Sequence, residues 1–244
     1  MLEVRQLVKT FGALRATDGI DFDVREGETH AVIGPNGAGK TTFISQLAGN
    51  LLPDAGSVRF DGSDITALPA PKRARLGLAR SFQITSIYPE FSALDNVALA
   101  VQAHSGHSFR FWKRARGDPA LVEPAQQVLA EVGLAERSHV LAANLAHGEQ
   151  RQLEVAMALA TNPRLLLLDE PMAGMGIEES QRMIALLSRL KQTKTIILVE
   201  HDMDAVFRLA DRISVLVYGR VIATGAPERI RANEEVRKAY LGEA

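Results

Sequence analysis

The glycine-rich segment GPNGAGKTT, residues 34 to 42, constrains this chain more than any other stretch of its sequence. It follows the apolar run THAVI, and it fits the pattern G-x-x-x-x-G-K-[ST] with Gly34, Gly39, Lys40 and Thr41. The glycines let the backbone curl so that several N–H groups point at phosphates, and the dipole of the following helix adds positive potential. Lys40 reaches the β- and γ-phosphates, and the Thr41 hydroxyl can ligate Mg²⁺. The segment therefore predicts a strand, a phosphate-binding loop and a helix.

Strand and helix patterns alternate along the rest of the chain. The stretches LEVRQLVKTF and IDFDVREG alternate apolar and polar residues with a period near two, which predicts half-exposed antiparallel strands. By contrast, ETHAVIG, RLLLLDE and KTIILVE are continuous apolar runs, which are typical of buried parallel strands. Buried parallel strands separated by helices indicate an α/β core.

The strand patterns disappear between Tyr88 and Ala160, where SALDNVALAVQA and EPAQQVLAEVG have helical periodicity. We interpret this part as a helical subdomain inserted into the core. The C-terminal stretch carries Pro227 after a glycine turn and then helical periodicity, which predicts short helices capping the core. Residues 1–244 are therefore read as one domain with three parts: a core of residues 1–87 and 161–224, a helical insertion at 88–160, and a cap at 225–244.

Composition excludes several classes of protein. The 28 Lys and Arg residues are balanced by 29 Asp and Glu, which argues against a nucleic-acid partner, because such proteins usually have a basic excess. The absence of cysteine excludes disulfides and thiolate metal sites and is compatible with a reducing cytoplasm. No apolar run approaches the roughly 18 residues that span a bilayer, and the first ten residues lack a signal-peptide stretch. We expect the chain to be soluble by itself.

Polar residues follow two of the buried strands. Asp169 and Glu170 end RLLLLDE; the first can hold Mg²⁺ through water, and the second can accept a hydrogen bond from an attacking water. His201 follows KTIILVE in the same way. Ligands of open α/β sheets bind at the carboxyl ends of the strands, so all three side chains are candidates for a catalytic site.

Five motifs in order carry a resemblance to a known family: GPNGAGKTT, a glutamine in RSFQIT, LAHGEQRQLE, LLLLDEP and VEHDMD. Together they resemble the nucleotide-binding subunits of ABC transporters over essentially the whole chain. GLARSFQITSIYPEFSALDNV, HGEQRQLEVAMALA and VRKAYLGEA are most similar to the ATP-binding subunits of branched-chain amino-acid importers. Urea or amide importers and the lipopolysaccharide-export ATPase share parts of the last stretch. The resemblance implies a P-loop NTPase (RecA-like) core with an antiparallel β subdomain and an inserted α-helical subdomain.

The resemblance also implies ATP and Mg²⁺ as ligands and assigns roles to residues. Phe11 matches the aromatic residue that stacks on adenine, and Gln83 matches the glutamine that touches Mg²⁺ and water and relays nucleotide state to a membrane partner. The catalytic set is Lys40, Gln83, Glu170 and His201, and the metal set is Thr41, Gln83 and Asp169. The nucleotide contacts are Phe11, Gly34, Pro35, Asn36, Gly37, Ala38, Gly39, Lys40, Thr41 and Thr42. Ala146, His147, Gly148 and Glu149 join them from the stretch LAHGEQ, which matches the signature motif of the family.

The signature motif provides a second helix start. A helix N-terminus preceded by Gly148 would offer unpaired backbone N–H groups and a positive dipole end, which form an anion site without a charged side chain. In the family this motif faces the ATP held by the other subunit. Two departures from the family pattern put the level of activity in question: Ala146 stands where a serine is usual, and Gly176 stands where an aspartate is usual.

As partners, the resemblance implies a second ATPase subunit, identical or paralogous, and membrane permease subunits, with a substrate-binding protein acting indirectly. This places the chain peripherally at the cytoplasmic face of the membrane. The basic stretch FRFWKRARG, residues 109 to 117, has three readings: a solvated loop, a contact with permease or lipid headgroups, or a nucleic-acid contact. Two other functions remain open: a non-transport ABC protein acting on nucleic acid, and a weakly hydrolysing nucleotide switch.

Overall fold

The structure is a computed structural model, and it describes residues 1–81, 87–105 and 118–241. The strands in these ranges form two sheets. They are β1 (Leu2–Phe11), β2 (Leu14–Val24), β3 (Thr29–Ile33), β4 (Ala55–Phe60), β5 (Ser63–Asp64), β6 (Leu78–Arg80), β7 (Leu165–Asp169), β8 (Thr195–Val199), β9 (Arg212–Val217) and β10 (Arg220–Gly225). The smaller sheet has the order β2-β1-β4-β5, and the larger has the order β10-β9-β3-β8-β7-β6.

The smaller sheet is antiparallel, as the alternating sequence predicts. Its β1–β2 pair is a hairpin in which Phe11 lies opposite Leu14. Strand β2 begins earlier than the stretch IDFDVREG indicates, because pairing with β1 extends the strand back to Leu14. It ends at Val24, since residues 26 and 27 form a turn.

Strands β6, β7, β8, β3 and β9 of the larger sheet are parallel, and β10 pairs with β9 in the antiparallel sense. Every residue of β3, β7 and β8 is buried, which confirms the prediction from their continuous apolar runs. These three strands are neighbours in the sheet. The phosphate loop, the pair Asp169 and Glu170, and His201 therefore follow adjacent strands at one edge of the sheet.

The helices are α1 (Lys40–Ala48), α2 (Ala70–Arg75), α3 (Ala93–Ser105), α4 (Pro119–Glu131), α5 (His147–Leu159), α6 (Ile177–Leu190), α7 (Met203–Leu209), α8 (Pro227–Arg231) and α9 (Glu234–Leu241). Helices α3 to α5 occupy the stretch with helical periodicity. Helix α4 begins at Pro119 because the Asp118 side chain caps it by accepting the N–H of Ala120.

Helices α8 and α9 pack against the edge of the larger sheet. Ile230 and Val236 are buried there in one cluster with Ile213 and Val215 of β9. The division of the chain into core, insertion and cap remains our interpretation of these elements. Among the described residues, no helix combines the length and apolar character required to cross a membrane.

Candidate active site

The phosphate loop lies between β3 and α1 and is pressed against two other segments. A Cβ at Gly34 would collide with the carbonyl oxygen of Leu216, and one at Gly39 would collide with that of Ala16. Gly39 also has φ 103°, in the left-handed region, where it begins α1 without a side-chain cap. Glycine is therefore required at both positions. The loop forms a cradle in which the N–H groups at the start of α1 remain available for phosphate.

Lys40 is folded back over this cradle. Its side chain is only 7% exposed, and Nζ donates to the carbonyl oxygens of Gly34 at 2.7 Å and Pro35 at 3.1 Å. Burial lowers the pKa of Lys40, while the charges of Glu170 and Asp169 act in the opposite direction. Both hydrogen bonds go to loop carbonyls, so the ammonium group can exchange them for phosphate oxygens without leaving the loop.

Asp169 ends β7 and is 1% exposed. Its Oδ2 lies 2.8 Å from Nη2 of Arg80, whereas its Oδ1 is buried without a hydrogen-bond partner among the described residues. Burial raises the pKa of Asp169, and the hydrogen bond and charge of Arg80 oppose that rise. A buried carboxylate oxygen without a partner is costly, and a Mg²⁺-bound water would satisfy it. The donor set therefore fits a hard cation.

Arg80 borders the site, and the sequence motifs do not identify it. It ends β6, donates through Nη1 to Ser45 Oγ at 3.2 Å, and connects α1 to Asp169. Its only signal in the sequence is a cation at the end of a short apolar run, which is too common to be specific. Gln83, three residues later, and the basic stretch 109–117 lie outside the described residues.

Glu170 has an unusual backbone conformation. Its φ is 51°, in the left-handed region, which costs a residue other than glycine about 1 kcal/mol or more. The conformation is held by two hydrogen bonds, because the Glu170 N–H donates to Val199 O at 2.9 Å and its carbonyl accepts from Ala173 N at 3.0 Å. The chain therefore turns sharply at the end of β7, directly after Asp169.

His201 follows β8, and its side chain is exposed. Its backbone N–H donates to Oε2 of Glu200 at 3.1 Å. Because β8 lies between β3 and β7, the fold brings His201 to the same sheet edge as Lys40, Asp169 and Glu170. The exposed imidazole is available to a ligand at that edge.

Phe11 lies at the end of β1 with 49% of its surface exposed, so it is not a core residue. The Lys9 ammonium lies 5.8 Å from the centre of its ring. The partner strand β2 contacts the phosphate loop directly, since a Cβ at Gly39 would touch Ala16. The hairpin thus presents an exposed aromatic ring on the segment that borders the loop.

The start of α5 differs from the expectation of unpaired N–H groups. The Gly148 N–H donates to Oε1 of Glu179 at 3.1 Å, and the Ala146 N–H donates to Oε2 of Glu149 at 2.9 Å. Alanine at position 146 offers no side-chain cap. Glu179 also accepts the Gly176 N–H at 3.1 Å, so one carboxylate caps two helices. These two N–H groups lower the pKa of Glu179.

The Glu179 contact corrects the expectation of unpaired N–H groups at the start of α5, and it also bears on the absence of an aspartate at position 176. A carboxylate of the chain itself already binds the N–H where an external anion was expected. Gly176, which stands where the family usually has an aspartate, has no side chain to cap α6, and the Glu179 carboxylate accepts its N–H instead. The sequence contained a signal for this cap, because Glu179 stands three residues after Gly176, the spacing of a capping box.

A cavity of about 320 Å³ opens beside Ser81, the last described residue before Gln83. Small apolar residues of α1, α2, β6, α3 and α5 form most of its wall, and Arg80 and Glu154 add charge. The cavity lies between the larger sheet and the helices of residues 93–159.

Residues 17–173 match the family model described as ABC transporter, and residues 220–244 match one described as branched-chain amino acid ATP-binding cassette transporter. The high-affinity branched-chain amino acid transport ATP-binding protein BraF of Pseudomonas aeruginosa is 41% identical, over 100% of this chain and 98% of that protein. LivG of Escherichia coli, with the same description, is 36% identical over the same shares.

Solved structures agree with the sequence comparison. A nucleotide-free ATP-binding cassette from an ABC transporter has a TM-score of 0.88 at 28% identity and covers 100% of this chain and 99% of its own. The ADP conformation of MJ1267, an ATP-binding cassette of an ABC transporter, has the same TM-score and coverage at 29% identity. These similarities confirm the P-loop NTPase fold that the sequence motifs predicted.

Proposed function

The chain belongs to the ABC transporter family, whose ATP-binding subunits hydrolyse ATP, and on that premise we propose that it powers the import of branched-chain amino acids. The observation that carries the catalytic part is the placement of Lys40, Asp169, Glu170 and His201 after three adjacent strands. The substrate part is supported by full-length relatives that are named for branched-chain amino-acid transport and by the match of residues 220–244.

We propose that ATP binds with its phosphates in the cradle formed by residues 34 to 42. The Lys40 ammonium then exchanges the carbonyls of Gly34 and Pro35 for oxygens of the β- and γ-phosphates. Mg²⁺, when bound, neutralises phosphate charge, and the Thr41 hydroxyl, Asp169 through water, and Gln83 would hold it. Oδ1 of Asp169, which has no hydrogen-bond partner in the described part of the chain, supports this assignment.

Hydrolysis breaks the bond between the γ-phosphorus and the bridging oxygen while a water oxygen attacks in line. Glu170 accepts a hydrogen bond from that water and orients it. Lys40 and His201 donate to the oxygens on which charge develops in the transition state. The left-handed backbone at Glu170 is consistent with this role, since strained residues persist where the surrounding structure holds them for function.

The proposed working unit is a dimer, of two identical chains or of paralogous subunits. Each ATP would lie between the phosphate loop of one chain and the start of α5 in the other, where Ala146, His147, Gly148 and Glu149 approach the γ-phosphate. Since the Gly148 N–H is bound to Glu179 in the free chain, this carboxylate must move away when the phosphate arrives. ATP then holds the dimer together, and hydrolysis releases it.

We propose that permease subunits dock at the cavity beside Ser81. Its lining includes Arg80, which binds Asp169, and Ser81, two positions before Gln83 in the sequence, so a helix end seated there would be sensitive to the state of the nucleotide. The chain would act peripherally at the cytoplasmic face of the membrane, with the substrate-binding protein contacting only the permease.

Transport assays test the substrate assignment. The chain and its permease, purified together from native membranes and placed in proteoliposomes with the binding protein, should take up labelled leucine when ATP is supplied. The Glu170→Gln variant is the matched inactive control. Uptake of urea or an amide in place of leucine, or export of lipopolysaccharide, would replace the proposed substrate. An absence of steady-state phosphate release would instead support a nucleotide switch.

Replacing Phe11 with alanine should weaken ATP and GTP binding together by about 1 to 3 kcal/mol, because stacking recognises the face of a base and not its edge. Titration with fluorescent nucleotides measures both affinities. Tyr88→Ala is the matched control, since Tyr88 is equally exposed and belongs to another segment. Unchanged affinities in the Phe11 variant would show that the ring does not contact the base.

The Glu179→Gln variant should form ATP-dependent dimers at about 3- to 10-fold lower protein concentration than the unmodified chain. Glutamine can still accept the Gly176 N–H, but it removes the charged competitor from the Gly148 N–H. Sedimentation at increasing protein concentration, in a Glu170→Gln background, measures the effect. The matched control is Glu178→Gln, which removes an exposed charge from the same helix turn. Weaker dimerisation than in the control would contradict the displacement step.

A further inference from the structure

Glu200 is a buried acidic residue to which the proposed reaction gives no role. It follows β8 and is 1% exposed. Its two carboxylate oxygens bind different backbone groups: Oε1 accepts the Met172 N–H at 2.9 Å, and Oε2 accepts the His201 N–H at 3.1 Å. One side chain thus joins the loop after β7 to the loop after β8.

The geometry of the contact matches a carboxylate. Each of the two N–H donors binds a different oxygen of Glu200, and a glutamine would place an NH₂ donor where one of these oxygens stands. A buried carboxylate is costly unless it is hydrogen-bonded, and burial raises the pKa of Glu200 against the opposing effect of these N–H groups. A residue that served packing alone would carry no such cost.

The two bonded loops are those that carry the proposed water-orienting group and the proposed phosphate contact. Met172 lies two residues after Glu170, whose own N–H donates to Val199 O. The segment 199–201 therefore holds the loop after β7 at two points, one on each side of Pro171. At the same time, Glu200 binds the backbone of His201 itself.

We propose that Glu200 is a positioning residue that sets the distance between the Glu170 carboxylate and the His201 imidazole. This inference rests on the proposed hydrolysis reaction and deepens it. Glu200 does not contact ATP. It fixes the ends of two adjacent strands relative to each other, so that the water-orienting group and the phosphate donor reach one γ-phosphate together.

The test is steady-state ATP hydrolysis by Glu200→Gln and Glu200→Asp variants. We expect glutamine to lower kcat by about 10- to 100-fold, the effect of a displacement of about 1 Å, with the KM for ATP changed less than about twofold. Aspartate keeps both acceptor oxygens on a shorter stem, so its kcat should lie between those of the glutamine variant and the unmodified chain. If the glutamine variant does not fold, the aspartate variant carries the test.

A double-mutant comparison separates positioning from simple stability. In a His201→Ala background the fold loss of kcat caused by Glu200→Gln should be at least about threefold smaller, because one of the two groups that Glu200 positions is gone.

Ser214→Ala is the matched control for stability. Ser214 lies on β9 and is as deeply buried as Glu200, and its hydroxyl forms hydrogen bonds with His30 and Thr224. The Ser214→Ala variant should lower the melting temperature without lowering kcat.

The outcomes that overturn the inference differ from those that overturn the proposed function. Glu200 variants with an unchanged kcat, in a chain that itself hydrolyses ATP, would show that Glu200 is only structural. An equal cost of Glu200→Gln with and without His201 would also overturn the assignment. An unmodified chain that hydrolyses no ATP, with or without permease, would instead overturn the proposed function.

Discussion

The Glu170→Gln variant should bind ATP normally and hydrolyse it about 10²- to 10⁴-fold more slowly than the unmodified chain, the range that general-base assistance contributes. Glutamine keeps the size of the side chain and leaves the phosphate contacts of residues 34 to 42 untouched. It removes the carboxylate that accepts a hydrogen bond from the attacking water. With hydrolysis blocked and binding intact, the variant should accumulate as an ATP-bound dimer.

Phosphate release and gel filtration with ATP measure these two effects. The matched control is Glu178→Gln, the same change at an exposed position of α6, which should hydrolyse ATP normally. The backbone of Glu170 is already left-handed, so glutamine meets the same conformational cost there and brings no new strain. Hydrolysis at the unmodified rate would refute the assignment of Glu170.

Replacing Gly148 with aspartate should reduce ATP hydrolysis by about 10²-fold, the rate equivalent of about 3 kcal/mol. Two effects contribute. A Cβ at this position would lie 2.8 Å from Cδ of Glu179, so the flexible Glu179 side chain must move away from the start of α5. The added carboxylate would also repel a phosphate approaching the same N–H group. The phosphate loop of the same chain is not changed, so its own affinity for ATP should persist.

Gly148→Ala separates the two effects, because it adds the Cβ without the charge. We expect alanine to be far less damaging than aspartate in hydrolysis measured over a range of protein concentrations, because its Cβ displaces only the flexible Glu179 side chain. Equal losses for both variants would show that steric displacement alone is responsible. Normal hydrolysis by the aspartate variant would mean that the start of α5 is an ordinary helix start.

The parts of this protein that sequence predicts well are those specified by local patterns. The phosphate loop needs glycines at fixed spacings, and the buried strands β3, β7 and β8 have continuous apolar runs; both signals lie within a few residues. Because parallel strands share one carboxyl edge, the neighbourhood of Lys40, Asp169 and His201 also follows from the pattern, once the strand order is known.

The missed contacts depend on distant pairs. Arg80 and Asp169 are joined across 89 positions, and Gly148 and Glu179 across 31. Nothing near Glu200 in the sequence shows that its carboxylate turns inward to meet Met172, because that depends on which strand neighbours β8. Long-range side-chain contacts of this kind decide the electrostatics of the site, whereas the sequence motifs decide only its location.

If each ATP is bound by two chains, mixing two inactive variants should restore hydrolysis. Lys40→Ala lacks the phosphate contact, and Gly148→Asp lacks a working start of α5; each should be nearly inactive alone. In a mixed dimer, one site combines the intact loop of the second variant with the intact α5 of the first. An equal mixture should then recover about a quarter of the unmodified activity, because about half of the dimers are mixed and each has one complete site. A mixture no more active than the average of its two components would contradict the shared site.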